Sequence, residues 1–215
     1  MTLLDVLRNL FRRPSAERLS GLDPLRTRLI VGLGNPGPEY ADTRHNVGFK
    51  CVDELASRYH VAWQDKTAGL SSCVAVIPEP PELTIVLAKP RTFMNRSGTA
   101  VRDLIGFLKL DPVNTLIVYD EMDLPFGRLR LRERGSAGSH NGMRSVVSSL
   151  ETENVARLRV GISQSAPGGA TSHVLSEFTA DEQAAMQDLI QRASDAAIEW
   201  AEHGAAVAMN RYNNS

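Results

Sequence analysis

Apolar residues fall into short runs and into helical stripes, and the two kinds alternate along the chain. Residues 28–33, Arg-Leu-Ile-Val-Gly-Leu, are the near-continuous apolar run of a strand buried on both faces. A glycine- and proline-rich turn follows, and then Val47, Cys51, Val52, Leu55, Ala56 and Tyr59 recur at helical spacing. Residues 72–77 and 83–88 predict two strands, linked by Pro78-Glu-Pro-Pro81. Ala100, Val101, Leu104, Ile105 and Leu108 predict a second helix, capped near Ser97. A strand over 115–119 ends at Asp120, and residues 127–134 alternate as a further strand. Met143, Val146, Val147 and Leu150 predict a short helix, and residues 157–162 another strand. The last helix is the most strongly marked. Thr179-x-x-Glu182 is a capping box, Met186, Leu189, Ile190, Ala193, Ala197, Trp200 and Ala201 share one face, and Gly204 stops it. Alternating strands and helices predict an α/β domain whose central sheet is covered on both faces.

A chain of 215 residues with 42% apolar and 23% charged side chains buries one full core without staples and excludes global disorder. There is no internal repeat and no second core. Leu3, Leu4, Leu7, Leu10 and Phe11 recur at helical spacing, with Arg8, Arg12 and Arg13 on or near the other face. That stretch is too short and too interrupted by charge for a signal sequence. It reads as a loosely attached extension or a docking helix, with a linker from Pro14 to Pro24. The expected division is an extension over 1–27, helical or flexible, and a domain over 28–215. No apolar run reaches bilayer length. Cys51 and Cys73 have no metal-ligand spacing, and the five histidines form no zinc motif.

The formal net charge of −1 argues at first against a nucleic-acid partner. The total hides an asymmetry. Residues 89–160 carry 12 basic and 8 acidic side chains, whereas 161–215 carry 2 and 7. Four features there and upstream bear chemistry. Gly32-Leu-Gly-Asn-Pro-Gly37 fits the glycine pattern of a dinucleotide loop, but Pro36 and Pro38 force an extended turn where such a loop must open into a helix. Asn35 then sits at the C-terminal end of a buried strand, where open α/β sheets place ligands. His45, in Thr43-Arg-His-Asn46, is the candidate proton-transfer group, with a purely structural histidine as the alternative. Asp120 ends a strand at the same sheet edge, where a carboxylate holds a histidine in one tautomer, although it also suits a simple turn. Arg128, Arg130, Arg132 and Arg134 share one face of a strand at roughly 7 Å intervals, and Arg157 and Arg159 repeat the pattern. Such a row matches a phosphate backbone or, equally, a solvated edge strand. A glycine-rich loop then delivers His140 and Asn141.

Taken together, Leu29-Ile-Val-Gly-Leu-Gly-Asn-Pro-Gly-x-x-Tyr40, Thr43-Arg-His-Asn46, Thr92-Phe-Met-Asn-x-Ser-Gly98, Asp120-Glu-x-Asp-Leu-Pro125 and Ser139-His-Asn-Gly142 resemble the bacterial peptidyl-tRNA hydrolase family, in its order and spacing, over about residues 28–211. The resemblance implies a single three-layer α/β/α domain with a mixed central sheet. It implies a cytoplasmic, monomeric esterase that cleaves peptide from the 3′ ribose of tRNA, with no metal, no cofactor, no covalent intermediate, no membrane and no obligate protein partner. His45 is then the base that activates water and Asp120 the group that orients it. Asn35, Asn95, Asn141 and His140 contact the substrate, Tyr40 and Phe93 wall the 3′ end, and Arg130, Arg132 and Arg159 grip the tRNA. A catalytically inert RNA-binding scaffold on the same fold is the competing reading. Ser139 stands where the family usually has glycine, and residues 163–172 lack a basic residue often found there.

Overall fold

The computed structural model describes residues 19–64, 70–77, 83–164 and 169–213. The helix expected over 3–13, much of the linker after it, the proline-rich link over 78–81 and part of the 163–172 segment lie outside the described residues. Six strands form one sheet, in the order β2-β3-β1-β4-β6-β5. They are β1 (Thr27–Gly32), β2 (Ser72–Ile77), β3 (Thr84–Pro90), β4 (Thr115–Glu121), β5 (Leu129–Arg132) and β6 (Ala156–Gly161). The four inner strands are parallel, and β2 and β5 run antiparallel at the two edges, so the sheet is mixed. The helices among the described residues are α1 (Val47–Arg58), α2 (Ser97–Leu108), α3 (Asn141–Leu150), α4 (Ala170–Val174), α5 (Ala180–His203) and α6 (Ala205–Tyr212).

The period-two alternation of each inner strand divides the core into two layers. Ile30, Leu116, Val118, Leu158 and Val160 face α1 and α5, where Val52, Leu55, Leu189 and Trp200 close over them. Leu29, Val31, Ile117 and Tyr119 face the other way, onto Val101 and Leu104 of α2 and Met143 and Val146 of α3. Leu19 is fully buried in this second layer, with Leu22 packed against it, so the chain just before β1 is tethered rather than a free linker.

Three departures from the expected elements have local causes. Strand β4 runs on through Asp120 and Glu121, because β6 supplies partners for both, Val160 and Gly161. Strand β5 is shorter than 127–134, because Gly127 (φ 85°) and Gly135 (φ 148°) leave the extended region on either side of it. Helices α4 and α6 were not expected from the pattern. The first is a single turn, and the second restarts beyond Gly204, which ends α5 at φ 82° as expected. The capping box at Thr179 and Glu182 is formed in both directions.

The glycine loop does not bind a dinucleotide in the usual way. Gly37 turns at φ 117°, a 3-10 turn over Pro38–Tyr40 follows, and the first helix begins only at Val47. The loop therefore does not open straight into an α-helix, as the dinucleotide fingerprint requires. The glycines serve packing instead. A Cβ on Gly48 would lie 2.3 Å from the Val118 carbonyl oxygen and 2.6 Å from the Leu33 main chain. The first turn of α1 therefore presses onto the backbones of β1 and β4, between which the chain switches direction across the sheet. Gly48→Ala should lower stability by about 2 kcal/mol or more, since backbone cannot yield as a side chain does. That corresponds to a fall in Tm of roughly 4–8 °C in thermal unfolding. An unchanged Tm would show that the contact is not tight.

Candidate active site

A cleft of about 340 Å³ opens at the C-terminal ends of β1 and β4, the switch point of the sheet. Asn35, His45, Asn95, Asp120, His140 and Asn141 all line it, so most of the polar residues singled out in the sequence meet in one place. Its apolar side is made by Phe93, Met94, Met122, Val174 and Leu175. Tyr40 lies outside the lining and touches the cleft through Phe93, in an edge-on ring contact at 6.2 Å.

Asp120 is the centre. It is only 2% exposed, and its Oδ1 is 2.8 Å from Nδ1 of His45 and 2.9 Å from Nε2 of His140. A carboxylate only accepts, so both ring nitrogens donate. His45 comes from a buried 3-10 turn (Arg44–Asn46) that leads into α1. Its Nδ1–H points at Asp120, which leaves the lone pair on Nε2. His140 is the N-cap of α3, and its Nδ1 accepts from the Met143 main-chain N–H at 3.1 Å. Its hydrogen is therefore on Nε2, and the helix cap fixes that tautomer. The His140 ring also packs against Tyr119 at 4.6 Å and His45 at 5.1 Å. Burial alone pushes the Asp120 carboxyl up, but the two histidines, His140 foremost, outweigh it and hold the group well below the usual carboxylate range. These three side chains are also a candidate metal-ligand cluster, with ligand atoms within 4.8 Å of one another. The nitrogen–oxygen spacings are those of hydrogen bonds.

The amides are oriented as well. Asn35 Oδ1 accepts from the Met94 main-chain N–H at 2.8 Å, so its NH₂ is the free end in the cleft. Asn46 clamps the Asn35 backbone from both sides, accepting its N–H at 2.8 Å and donating to its carbonyl at 3.0 Å. The sequence signal for Asn46 was its place beside His45, but its role is a positioning one. Asn95 and Asn141 are exposed on the rim. Helix α4 forms one wall and is tied down by His173, whose Nε2 donates to the Ser163 carbonyl at 2.9 Å.

The arginine rows divide. Arg130 and Arg132 of β5 and Arg159 of β6 alternate with Leu129, Leu131, Leu158 and Val160, and so stand on the sheet face opposite the layer closed by α1 and α5. Arg130 and Arg132 are half-buried there and make no ion pair among the described residues. Arg159 lies opposite Arg130 and pairs with Glu121 at 2.5 Å, so part of its charge is offset at the cleft margin. Arg157 does not belong to this surface. It is 2% exposed and its guanidinium donates to the carbonyls of Gly135, Ser136, Glu153 and Val155. It clamps the loop that leads to His140. Strand alternation alone cannot reveal that, because a burying loop is a tertiary feature.

One residue missed in the sequence is Arg44. It is 4% exposed, forms a two-pronged ion pair with Glu182 at 2.8 and 2.6 Å, and lies over the Phe178 ring at 4.7 Å. Hydrogen bonding from Arg44 holds the Glu182 carboxyl down to about 2.

The chain matches the family described as Peptidyl-tRNA hydrolase over residues 29–215. It is 51% identical over 188 residues to a peptidyl-tRNA hydrolase of Chloroflexus aurantiacus, covering 86% of this chain and 98% of that protein. It is 44% identical over 199 residues to one from Synechocystis, covering 87% and 96%. The crystal structure of peptidyl-tRNA hydrolase from Acinetobacter baumannii superposes with a TM-score of 0.81 at 34% identity, covering 90% of this chain and 97% of that one.

The ion pair sets an acid-side prediction. A carboxyl held down in the folded state contributes stability that is present above its unfolded value and lost as pH falls through the folded one. For Glu182 that window runs from the ordinary value of 4.5 down to about 2. Glu182→Gln should therefore flatten the loss of stability between those limits, read from denaturant midpoints against pH. An acid limb as steep as that of the unsubstituted chain would contradict the pairing.

Proposed function

The chain belongs to the peptidyl-tRNA hydrolase family, and on that premise we propose how its cleft hydrolyses the ester between a peptide and the 3′ ribose of tRNA. A water molecule in the cleft gives a proton to His45 Nε2 and attacks the ester carbonyl carbon. Asp120 keeps Nε2 basic by holding the hydrogen on Nδ1, and it stabilises the imidazolium that forms. The carbonyl oxygen gathers negative charge as the tetrahedral centre forms. Asn35 Nδ2 donates to it, with Asn95 and Asn141 on the rim placing the substrate. Collapse breaks the bond to the ribose oxygen, which takes the proton from His45, and peptide acid and free tRNA leave. His140 keeps Asp120 ionised and aimed, and its tautomer makes it a donor toward that carboxylate rather than a second base. Phe93, backed by Tyr40, forms an apolar wall suited to the terminal adenosine.

The observation that carries this reading is the shared oxygen of Asp120. A base, its orienting carboxylate and a donor amide converge in one cleft, with His45 oriented by Asp120, Asp120 by His140 as well, and Asn35 by the Met94 N–H. An inert RNA-binding scaffold has no need of a buried carboxylate whose ionisation is maintained in this way. The half-buried Arg130 and Arg132 of β5, with Arg159 of β6 beside them, support contact with tRNA phosphates beside that cleft. We extend the reading to a monomer that acts in the cytoplasm, where its substrate arises, without an obligate protein partner. No helix among the described residues is long and apolar enough to cross a membrane.

His45→Ala should lower kcat on an N-acyl-aminoacyl-tRNA by about 10²–10⁴-fold while binding is kept. Turnover at the original rate would remove His45 from the base role. Arg130→Ala with Arg132→Ala should raise KM and reduce the slope of log affinity against log salt by about 1–2, with kcat little changed. If slope and affinity stayed as they were, that strand would be a solvated edge.

A further inference from the structure

The turn that carries His45 is held on two sides. On one side Gly48 lies against the sheet backbone, as described above. On the other, Arg44 reaches away from the cleft into a socket made by the C-terminal part of the chain. Its main-chain N–H donates to the Ser176 carbonyl at 3.0 Å, and its Nε to Ser176 Oγ at 3.3 Å. Both guanidinium prongs engage Glu182, and the Phe178 ring covers the flat face at 4.7 Å. Thr43, one residue earlier, bridges to Glu177. Glu182 is itself fixed, because its Oε2 also accepts from the Thr179 N–H in the capping box at the start of α5.

A planar fork gripped on its edges by a carboxylate and on its face by a ring has little freedom to translate or rotate. Arg44 is adjacent in sequence to His45, so this socket sets where the His45 backbone begins. The His45–Asp120 bond is 2.8 Å, and an ångström of drift would leave it unmade.

We propose that Arg44, held by Glu182 and Phe178, is a positioning residue for His45. The proposal rests on His45 being the base, and its test separates the two. Glu182→Gln keeps the size of the partner and removes its charge. It should lower kcat about tenfold or more with KM within about twofold, because the displaced group acts in the chemical step and not in tRNA binding. The downfield proton resonance of His45 Nδ1–H should weaken or broaden in the same variant. Arg58→Ala is the control. It breaks a different α1–α5 ion pair, to Asp195 at 2.5 Å, and should lower Tm with kcat within about twofold.

Wild-type kcat in Glu182→Gln would overturn the proposal. So would a fall in kcat with the His45 resonance unmoved, or an equal fall in Arg58→Ala. If Glu182→Gln does not fold, Phe178→Leu decides. It keeps the ion pair and removes the ring face, and it should lower kcat about threefold or more at unchanged KM. An unchanged kcat there overturns the proposal. Failure of the base assignment has a different signature, an active His45→Ala.

Discussion

A carboxylate almost wholly removed from water is tolerable only if donors replace the water, and the arrangement around Asp120 follows from that requirement. Asp120 lies near the end of β4, on the seam between the two helical layers. His45 reaches it from the turn before α1, on one face of the sheet. His140 reaches it from the cap of α3, on the other face. Neither layer alone satisfies the charge. The site therefore assembles only when both layers are docked, and the packing of α1 and α3 is part of the chemistry.

The two histidines meet one oxygen but are set in opposite tautomers. The helix cap claims His140 Nδ1, so that ring can only donate to Asp120 through Nε2. Among the described residues nothing comparable claims His45 Nε2, which is left with its lone pair in the cleft. The division of labour thus comes from the backbone N–H of Met143 rather than from any difference between the rings. The amides follow the same logic, since the Met94 N–H takes the oxygen of Asn35 and leaves the NH₂. Backbone donors select which end of each side chain does chemistry.

Much of this is legible in the amino-acid sequence alone. Strand and helix periods placed the inner sheet and the long capped helix, and strand ends located Asn35 and Asp120 at one edge. The family resemblance carried by the polar motifs implied that His45 and His140 share one site. What sequence could not show was burial of charge. Arg157 alternates with Arg159 like a surface row, yet the loop at Gly135 and Ser136 folds over it and, with the carbonyls of Glu153 and Val155, takes up its donors. Arg44 reads as an ordinary turn residue until a segment more than a hundred residues away closes on it. Glu182 reads correctly as a capping residue, and its second role as ion-pair partner is visible only in three dimensions. The near-neutral total charge was the most misleading quantity, because it averages an arginine-bearing sheet edge with an acidic C-terminal region.

The central claim is that Asp120 holds two histidines in opposite tautomers so that His45 alone has a bare Nε2. Imidazole nitrogen-15 shifts of the full-length protein near neutral pH test it directly. His45 should show a protonated Nδ1 with a lone pair on Nε2, and His140 the reverse. A His45 that carries its hydrogen on Nε2, or a His140 that shares the His45 pattern, would contradict it.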